Sequence, residues 1–224
     1  VISVNAFDPK GMKIGTVGRI LDFPGYELRI ASDGEILFKG PNLMKGYYKR
    51  EDLTKEAIDE QGWFHTGDIG EIDNGGFLKI TDRKKEMFKT SGGKYIAPQV
   101  LENMLKASPF IEQVCVVGEY RKFPGLLLIP SFEMVRKYLG EIGVKAEEKN
   151  EALICQSEVI NKLQTEIDKI NANLAQWEKI KKFALLPREF TIDAGEITPK
   201  LSLRRKAIEK RYSEQIEGMY SEAD

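Results

Sequence analysis

The feature that most constrains this chain is a change of pattern at "TDRKKEMFKTSGGKYIAP", residues 81–98. Before it lie strand-length pieces, "GTVGRIL", "YELRI", "GEILFKG", "GDIGEI" and "GFLKITD", with the turn signals "SDGE" and "DNGG" between them. "REDLTKEAI" interrupts them as a short helix. After it the elements lengthen: a helix over "PQVLENMLKAS", strands over "IEQVCVVG" and "GLLLIPS", and a helix over "FEMVRKYLGEIG" that ends at glycine. Pro98 suits the first turn of its helix, where a missing donor costs little. The stretch itself is charged and glycine-containing, and it reads as an exposed link rather than a packed element.

The second part continues with Val159, Leu163, Ile167, Ile170, Leu174 and Trp177 at steps of three or four residues, which predicts one amphipathic helix over residues 158–180. "KKFALLP" returns as a strand, and a final helix is expected from about Ser202, with Leu203, Ala207, Ile208 and Tyr212 on one side. The expected fold class is α/β in the broad α+β sense. Residues 1–81 form a β-rich portion, and residues 82–224 form a small mixed domain with a roughly three-stranded sheet and helices.

Composition narrows the function classes. Lys plus Arg number 34 and Asp plus Glu 35, so no global charge draws the chain to nucleic acid. Two cysteines in 224 residues make no disulfide scaffold and point to a reducing compartment; a cytoplasmic location is the separate expectation for the parent. The single histidine, His65, has no cysteine pair or second histidine beside it, which argues against a transition-metal site. No run approaches the length of a membrane span. The opening "VISVNAFDPKG" has neither the zones of a signal peptide nor an initiator methionine, which fits a cut piece of a longer protein, with processing as the other reading.

Three clusters carry chemistry. In "GWFHTGDIG", Asp68 lies between glycines at a strand edge, where a carboxylate can accept both vicinal hydroxyls of a ribose; capping a turn is its other reading. In "TDRKKEMFKTSGGKYI", the planar fork of Arg83 suits ribose or phosphate. Gly92 and Gly93 would let a ligand approach the backbone, and Lys84, Lys85, Lys89 and Lys94 read as a basic patch. A solvated loop, or an RNA contact lacking an aromatic platform, are the alternatives there. In "GEITPKLSLRR", Lys200 follows a proline that stiffens its turn, and such a lysine can reach a neighbouring site to neutralise charge developing on phosphate or carboxylate oxygens. An ordinary surface lysine is the alternative.

Taken together, and with "KGPNLMKGYYKREDLTKEAIDEQGWFHTGDIGEIDNGGFLKITDRKKEMFKTSGGKYIAPQVLE", the chain resembles the carboxyl-terminal part of the AMP-forming acyl-CoA synthetases of the adenylate-forming superfamily, and long-chain fatty acid CoA ligases in particular. The resemblance covers essentially the whole chain. It implies that residues 1–81 are the end of a large adenylating domain and residues 82–224 a mobile small domain. Asp68 and Arg83 would bind the ribose, Asp82 would be the hinge, and Lys200 would be the catalytic lysine of adenylation. Gly92 and Gly93 would form the loop that serves the thioester step, with Lys89 and Lys94 near the CoA path. Tyr47 and Trp63 look like packing residues at the edge of the adenylate pocket.

The substrates implied are a fatty acid, ATP (leaving as AMP) and CoA, with Mg²⁺ bound elsewhere in the full enzyme. The large amino-terminal domain would act in cis. The piece alone is expected to be inactive and, with edge strands uncovered, to self-associate. Peripheral membrane contact of the parent follows from its acyl substrate. "RKFP", residues 121–124, departs from the family's Gly-Asp-x-Arg-like stretch and reads as subfamily character. An acyl-carrier-protein ligase and a catalytically silent module of the same fold stay open.

Overall fold

A computed structural model describes residues 2–8 and 10–221, and it divides the chain into two compact units, residues 1–87 and 88–224. The division falls a few residues beyond the start of the charged stretch. Residues 81–83 are not a link: Thr81, Asp82 and Arg83 end a paired strand, and Asp82 is fully buried. The cross-strand bonds hold the backbone there in spite of the charged side chains.

The first unit runs β1 (Ser3–Val4), β2 (Arg19–Ile20), β3 (Glu27–Ile30), β4 (Glu35–Lys39), α1 (Glu51–Ala57), β5 (Phe64–Ile72) and β6 (Leu78–Arg83). β1 and β2 pair as a small ribbon, so "GTVGRIL" yields only two strand residues. The remaining strands form an antiparallel sheet in the order β3-β4-β5-β6. β4 is inside this sheet and buries Ile36, Leu37 and Phe38. The tight turn at Gly34, with φ +85°, allows β3 to return as β4. In β5 and β6 the register sets Asp68 opposite Arg83 and Ile69 opposite Asp82.

The second unit runs β7 (Phe88–Lys89), β8 (Tyr95–Ile96), α2 (Pro98–Leu105), β9 (Ile111–Val117), β10 (Gly125–Pro130), α3 (Phe132–Glu141), α4 (Asn150–Leu153), α5 (Ser157–Asn171), β11 (Lys182–Leu185), α6 (Arg205–Arg211) and α7 (Ser213–Ser221). Its three-stranded sheet has the order β11-β10-β9, with β10 antiparallel to β9 and parallel to β11. β10 reads "GLLLIP" because the central strand is covered on both faces. Strand alternation then sorts the core. Val114, Val116, Leu126 and Leu128 pack with α2, α3 and α5, whereas Cys115, Val117, Leu127 and Ile129 pack with Ile208, Tyr212, Ile216 and Met219 of the terminal helices and the turn between them.

Two helix expectations are corrected. α5 buries Val159, Leu163 and Ile167 but stops at Asn171 instead of running to residue 180. The Asn171 side chain donates to the Ile180 carbonyl and accepts the Ile180 N–H, both at 2.8 Å, and this closes a loop in place of further helical turns. Leu174 still packs on the core from that loop, and Trp177 is about half exposed. The terminal helix starts at Arg205, not Ser202, and breaks at Tyr212; Ser202 and Leu203 belong to a hairpin, and Ala207 is exposed. Among the described residues, no helix is long and apolar enough to cross a membrane.

Candidate functional site: an Asp–Arg pair and a lysine hairpin

In the first unit, the β5–β6 register brings the two expected ribose contacts together. Arg83 Nε lies 2.9 Å from Asp68 Oδ1. That oxygen has no aligned hydrogen bond, the one such buried side-chain atom among the described residues, while the Asp68 side chain remains 23% exposed. The Arg83 guanidinium is its ionic partner, and the exposed part of the carboxylate is left open to a ligand hydroxyl. Arg83 itself is mostly solvent-facing. Asp82 accepts the Arg83 N–H at Oδ1, 2.6 Å away.

Below this pair is a carboxylate that the sequence reading passed over. Glu35, at the start of β4, is 3% exposed. Its Oε1 accepts the Gly67 N–H at 3.0 Å, and its Oε2 meets His65 Nδ1 at 2.9 Å and Lys84 Nζ at 2.8 Å. Burial pushes this carboxyl up, but Lys84, His65 and the Gly67 N–H outweigh it and hold it below the usual carboxylate range. The only sequence signal was an acid inside an apolar strand, "GEILFKG". His65 therefore has a structural partner, and Lys84 is no member of an open basic patch, since it also pairs with Asp33 at 2.7 Å. Trp63 is likewise engaged, under the Arg29 guanidinium at 4.2 Å.

In the second unit, β7 and β8 form a hairpin with Lys89 opposite Tyr95. The loop between them is closed by Thr90 and Lys94: the Thr90 N–H donates to the Lys94 carbonyl and the Gly93 N–H to the Thr90 carbonyl, each at 2.9 Å. Gly93 has φ +75° with open space where a Cβ would stand, so glycine here serves the turn, not a close contact inside the chain. Lys89 sits over the Tyr95 ring at 4.7 Å and Lys94 over Trp177 at 5.1 Å, both in cation–π contact.

Lys200 lies on a second hairpin. Thr198 N–H donates to the Ser202 carbonyl and Leu201 N–H to the Thr198 carbonyl, both at 2.8 Å, and Ile197 bridges Leu203. The three-residue loop Pro199-Lys200-Leu201 thus presents Lys200 at its tip, exposed, with Leu201 in the left-handed region at φ 60°. The base of this hairpin holds another unforeseen carboxylate, Glu196, fully buried. Arg188 grips it with two bonds of 2.6 and 3.0 Å, Tyr212 Oη donates at 2.9 Å and Thr191 N–H at 3.1 Å. Burial raises the Glu196 carboxyl, but Arg188 and these donors together bring it below its ordinary value. Burial, and then the bond to Glu196, push Tyr212 up to about 12.

Among the described residues, no group of three His, Cys, Asp or Glu could hold a metal ion.

Comparisons with known proteins show the family. Residues 86–224 match the model of the AMP-binding enzyme C-terminal domain. The chain is 40% identical over 210 residues to the long-chain-fatty-acid–CoA ligase FadD15 of Mycobacterium tuberculosis, covering 94% of this chain and 34% of that protein. It is 37% identical to long-chain-fatty-acid–CoA ligase 5 of Rattus norvegicus, covering 85% of this chain and 28% of that one. It thus spans about a third of the curated relatives it matches. Among solved structures, the adenylation domain of a carboxylate reductase from Mycobacterium chelonae superposes with TM-score 0.72 at 22% identity, over 93% of this chain and 34% of that one. O-succinylbenzoate coenzyme A synthetase from Bacillus subtilis, solved with AMP, gives TM-score 0.58 at 26% identity, over 87% and 35%.

Proposed function

We propose, on the premise that this chain belongs to the family of AMP-binding enzyme C-terminal domains, that it is the carboxyl-terminal part of an AMP-forming long-chain fatty acid–CoA ligase. In the first step a carboxylate oxygen of the fatty acid attacks the α-phosphorus of ATP. The bond to pyrophosphate breaks and an acyl-adenylate forms. In the second step the CoA thiol loses its proton and attacks the acyl carbonyl. The acyl–oxygen bond breaks, AMP leaves and the thioester remains.

Asp68 and Arg83 hold the ribose of ATP and of the adenylate. Lys200 meets the charge that gathers on the carboxylate and α-phosphate oxygens during adenylation, where a fixed cation is worth most. Its place at the tip of a short, doubly bonded hairpin suits a group that must arrive in one orientation. The Gly92–Gly93 loop, with Lys89 and Lys94, serves the thiol step, and Asp82 is the pivot between the two steps. None of these roles runs through the Mg²⁺ that accompanies ATP. Cytoplasmic placement of the parent, with peripheral membrane contact toward its acyl substrate, belongs to the same proposal.

The observation that carries this reading is the cross-strand pairing of Asp68 with Arg83, which faces two ribose-type ligating groups toward each other at 2.9 Å. The test uses the protein made from the full reading frame, with ATP, palmitate and then CoA, followed by mass spectrometry. Palmitoyl-adenylate without CoA, and palmitoyl-CoA with AMP when CoA is added, are the expected products. Adenylate that CoA never captures would move the acceptor to a carrier protein. No adenylate from any fatty acid would remove the long-chain assignment. The 224-residue chain alone should give neither product.

A further inference from the structure

We infer that Glu35 is the positioning residue of the ribose clamp, one buried carboxylate that fixes both of its sides. The inference rests on the reading of Asp68 and Arg83 as ribose contacts. Glu35 touches neither of them. It grips Gly67, the residue before Asp68, and Lys84, the residue after Arg83. Those two residues are also joined to each other, the Lys84 N–H donating to the Gly67 carbonyl at 2.8 Å. The end of the β5–β6 ladder that bears the clamp is therefore tied twice, once by backbone and once through Glu35.

The local backbone needs such a tie. Gly67 has φ +71° and open space beside it, so no side-chain packing holds its conformation. The register slips between Glu35 and Leu37 on one side of β5 and between Ile69 and Gly70 on the other. An irregular ladder leaves the direction of the Asp68 side chain under-determined. Besides Arg83 at the carboxylate itself, two groups aim it through the backbone: Thr66 Oγ1, which donates to the Ile36 carbonyl at 2.7 Å and accepts the Asp68 N–H at 3.1 Å, and Glu35 through Gly67.

A carboxylate is the group that can do this. It accepts from a backbone N–H, an imidazole and an ammonium at once. Glutamine of the same length would turn an NH₂ group toward one of these donors. A buried charge is also a poor way to gain stability alone, since its desolvation offsets much of the attraction. Its use here fits geometry better than cohesion.

The test compares AMP with 2′,3′-dideoxy-AMP by isothermal titration, on the protein from the full reading frame, with thermal unfolding run alongside. Wild type should prefer AMP by on the order of tenfold or more, the worth of a charge-assisted hydrogen bond. Glu35→Gln should lose most of that preference while its affinity for the dideoxy nucleotide stays put. Lys84→Gln, which cuts only the Arg83 side, should fall between. Glu166→Gln, another buried carboxylate far along the sequence, should keep the wild-type preference. A folded Glu35→Gln protein with full preference overturns the positioning role and leaves the ribose reading standing. If Glu35→Gln does not fold, full preference in Lys84→Gln overturns it instead. A wild type that does not distinguish the two nucleotides overturns both.

Discussion

Replacing Glu196 should loosen the lysine hairpin and the domain beneath it by an amount that can be worked out from its partners. Glu196 accepts a bidentate pair from Arg188, a hydroxyl from Tyr212 and the Thr191 N–H. Hydrogen bonds to charged groups are each worth about 1.5–3 kcal/mol, and breaking a buried ion pair by removing one partner costs about 3–5 kcal/mol. Glu196→Gln keeps the shape and one acceptor but sets an amide NH₂ against the guanidinium, so we expect a loss of about 2–3 kcal/mol. Glu196→Ala should lose about 3–5 kcal/mol. Urea unfolding measures this well because the two tryptophans are divided between the units, Trp63 in the first and Trp177 in the second. In a Trp63→Phe background the emission follows the unit that carries Glu196. The Leu201 and Arg204 amides, which bond the Thr198 and Glu196 carbonyls, should exchange faster in the variant. A midpoint shift worth less than about 0.5 kcal/mol, the scatter of ordinary surface changes, would show that Glu196 does not hold the hairpin.

Three further outcomes follow. Lys200→Ala in the full-length protein should slow adenylation by about 10²–10³-fold, as for loss of one preorganised charge-stabilising group, while supplied palmitoyl-adenylate is still converted with CoA; equal loss in both half-reactions would contradict its role. Leu201→Gly should raise stability by about 0.5–1 kcal/mol, because relief of the left-handed strain exceeds the entropy glycine adds to the unfolded chain; a calorimetric loss would refute the strain. Glu166 is held to about 2, where burial would raise it but Lys162, Lys169 and Ser108 lower it further. With a folded value below the unfolded one, its contribution is full above about pH 4.5 and fades as pH falls toward 2, up to ~3 kcal/mol in all. Acid titration of Glu166→Gln should show a flatter loss than wild type over that window, and an identical profile would count against the shift.

Much of the fold was legible because it rests on short-range patterns. The turn signals "SDGE" and "DNGG" fix the hairpins of the first unit's four-stranded sheet locally, and the apolar runs of β9 and β10 fix the core of the second unit's three-stranded sheet. Asp68 and Arg83 could be singled out by residue type, but their pairing depends on a register shifted between Ile69 and Gly70 that no local pattern encodes. Glu35 and Glu196 escaped notice for a related reason. Glu35 meets partners 30 to 49 residues away, and Glu196 lies only eight residues from Arg188 but 16 from Tyr212. Lys84 looked like part of an exposed basic patch because its carboxylates come from another strand and turn. The end of α5 was misjudged since Leu174 keeps the helical spacing and still reaches the core, while a side-chain amide of Asn171 replaces the helix with a loop.

The most direct measurement of the central claim follows oxygen. Palmitate labelled with ¹⁸O in its carboxylate is incubated with the full-length protein, ATP and CoA, and the products are analysed by mass spectrometry. If the carboxylate oxygen attacks the α-phosphorus and the acyl–oxygen bond later breaks, one ¹⁸O must leave in AMP. Label in inorganic phosphate, or AMP formed without label alongside palmitoyl-CoA, would contradict adenylation.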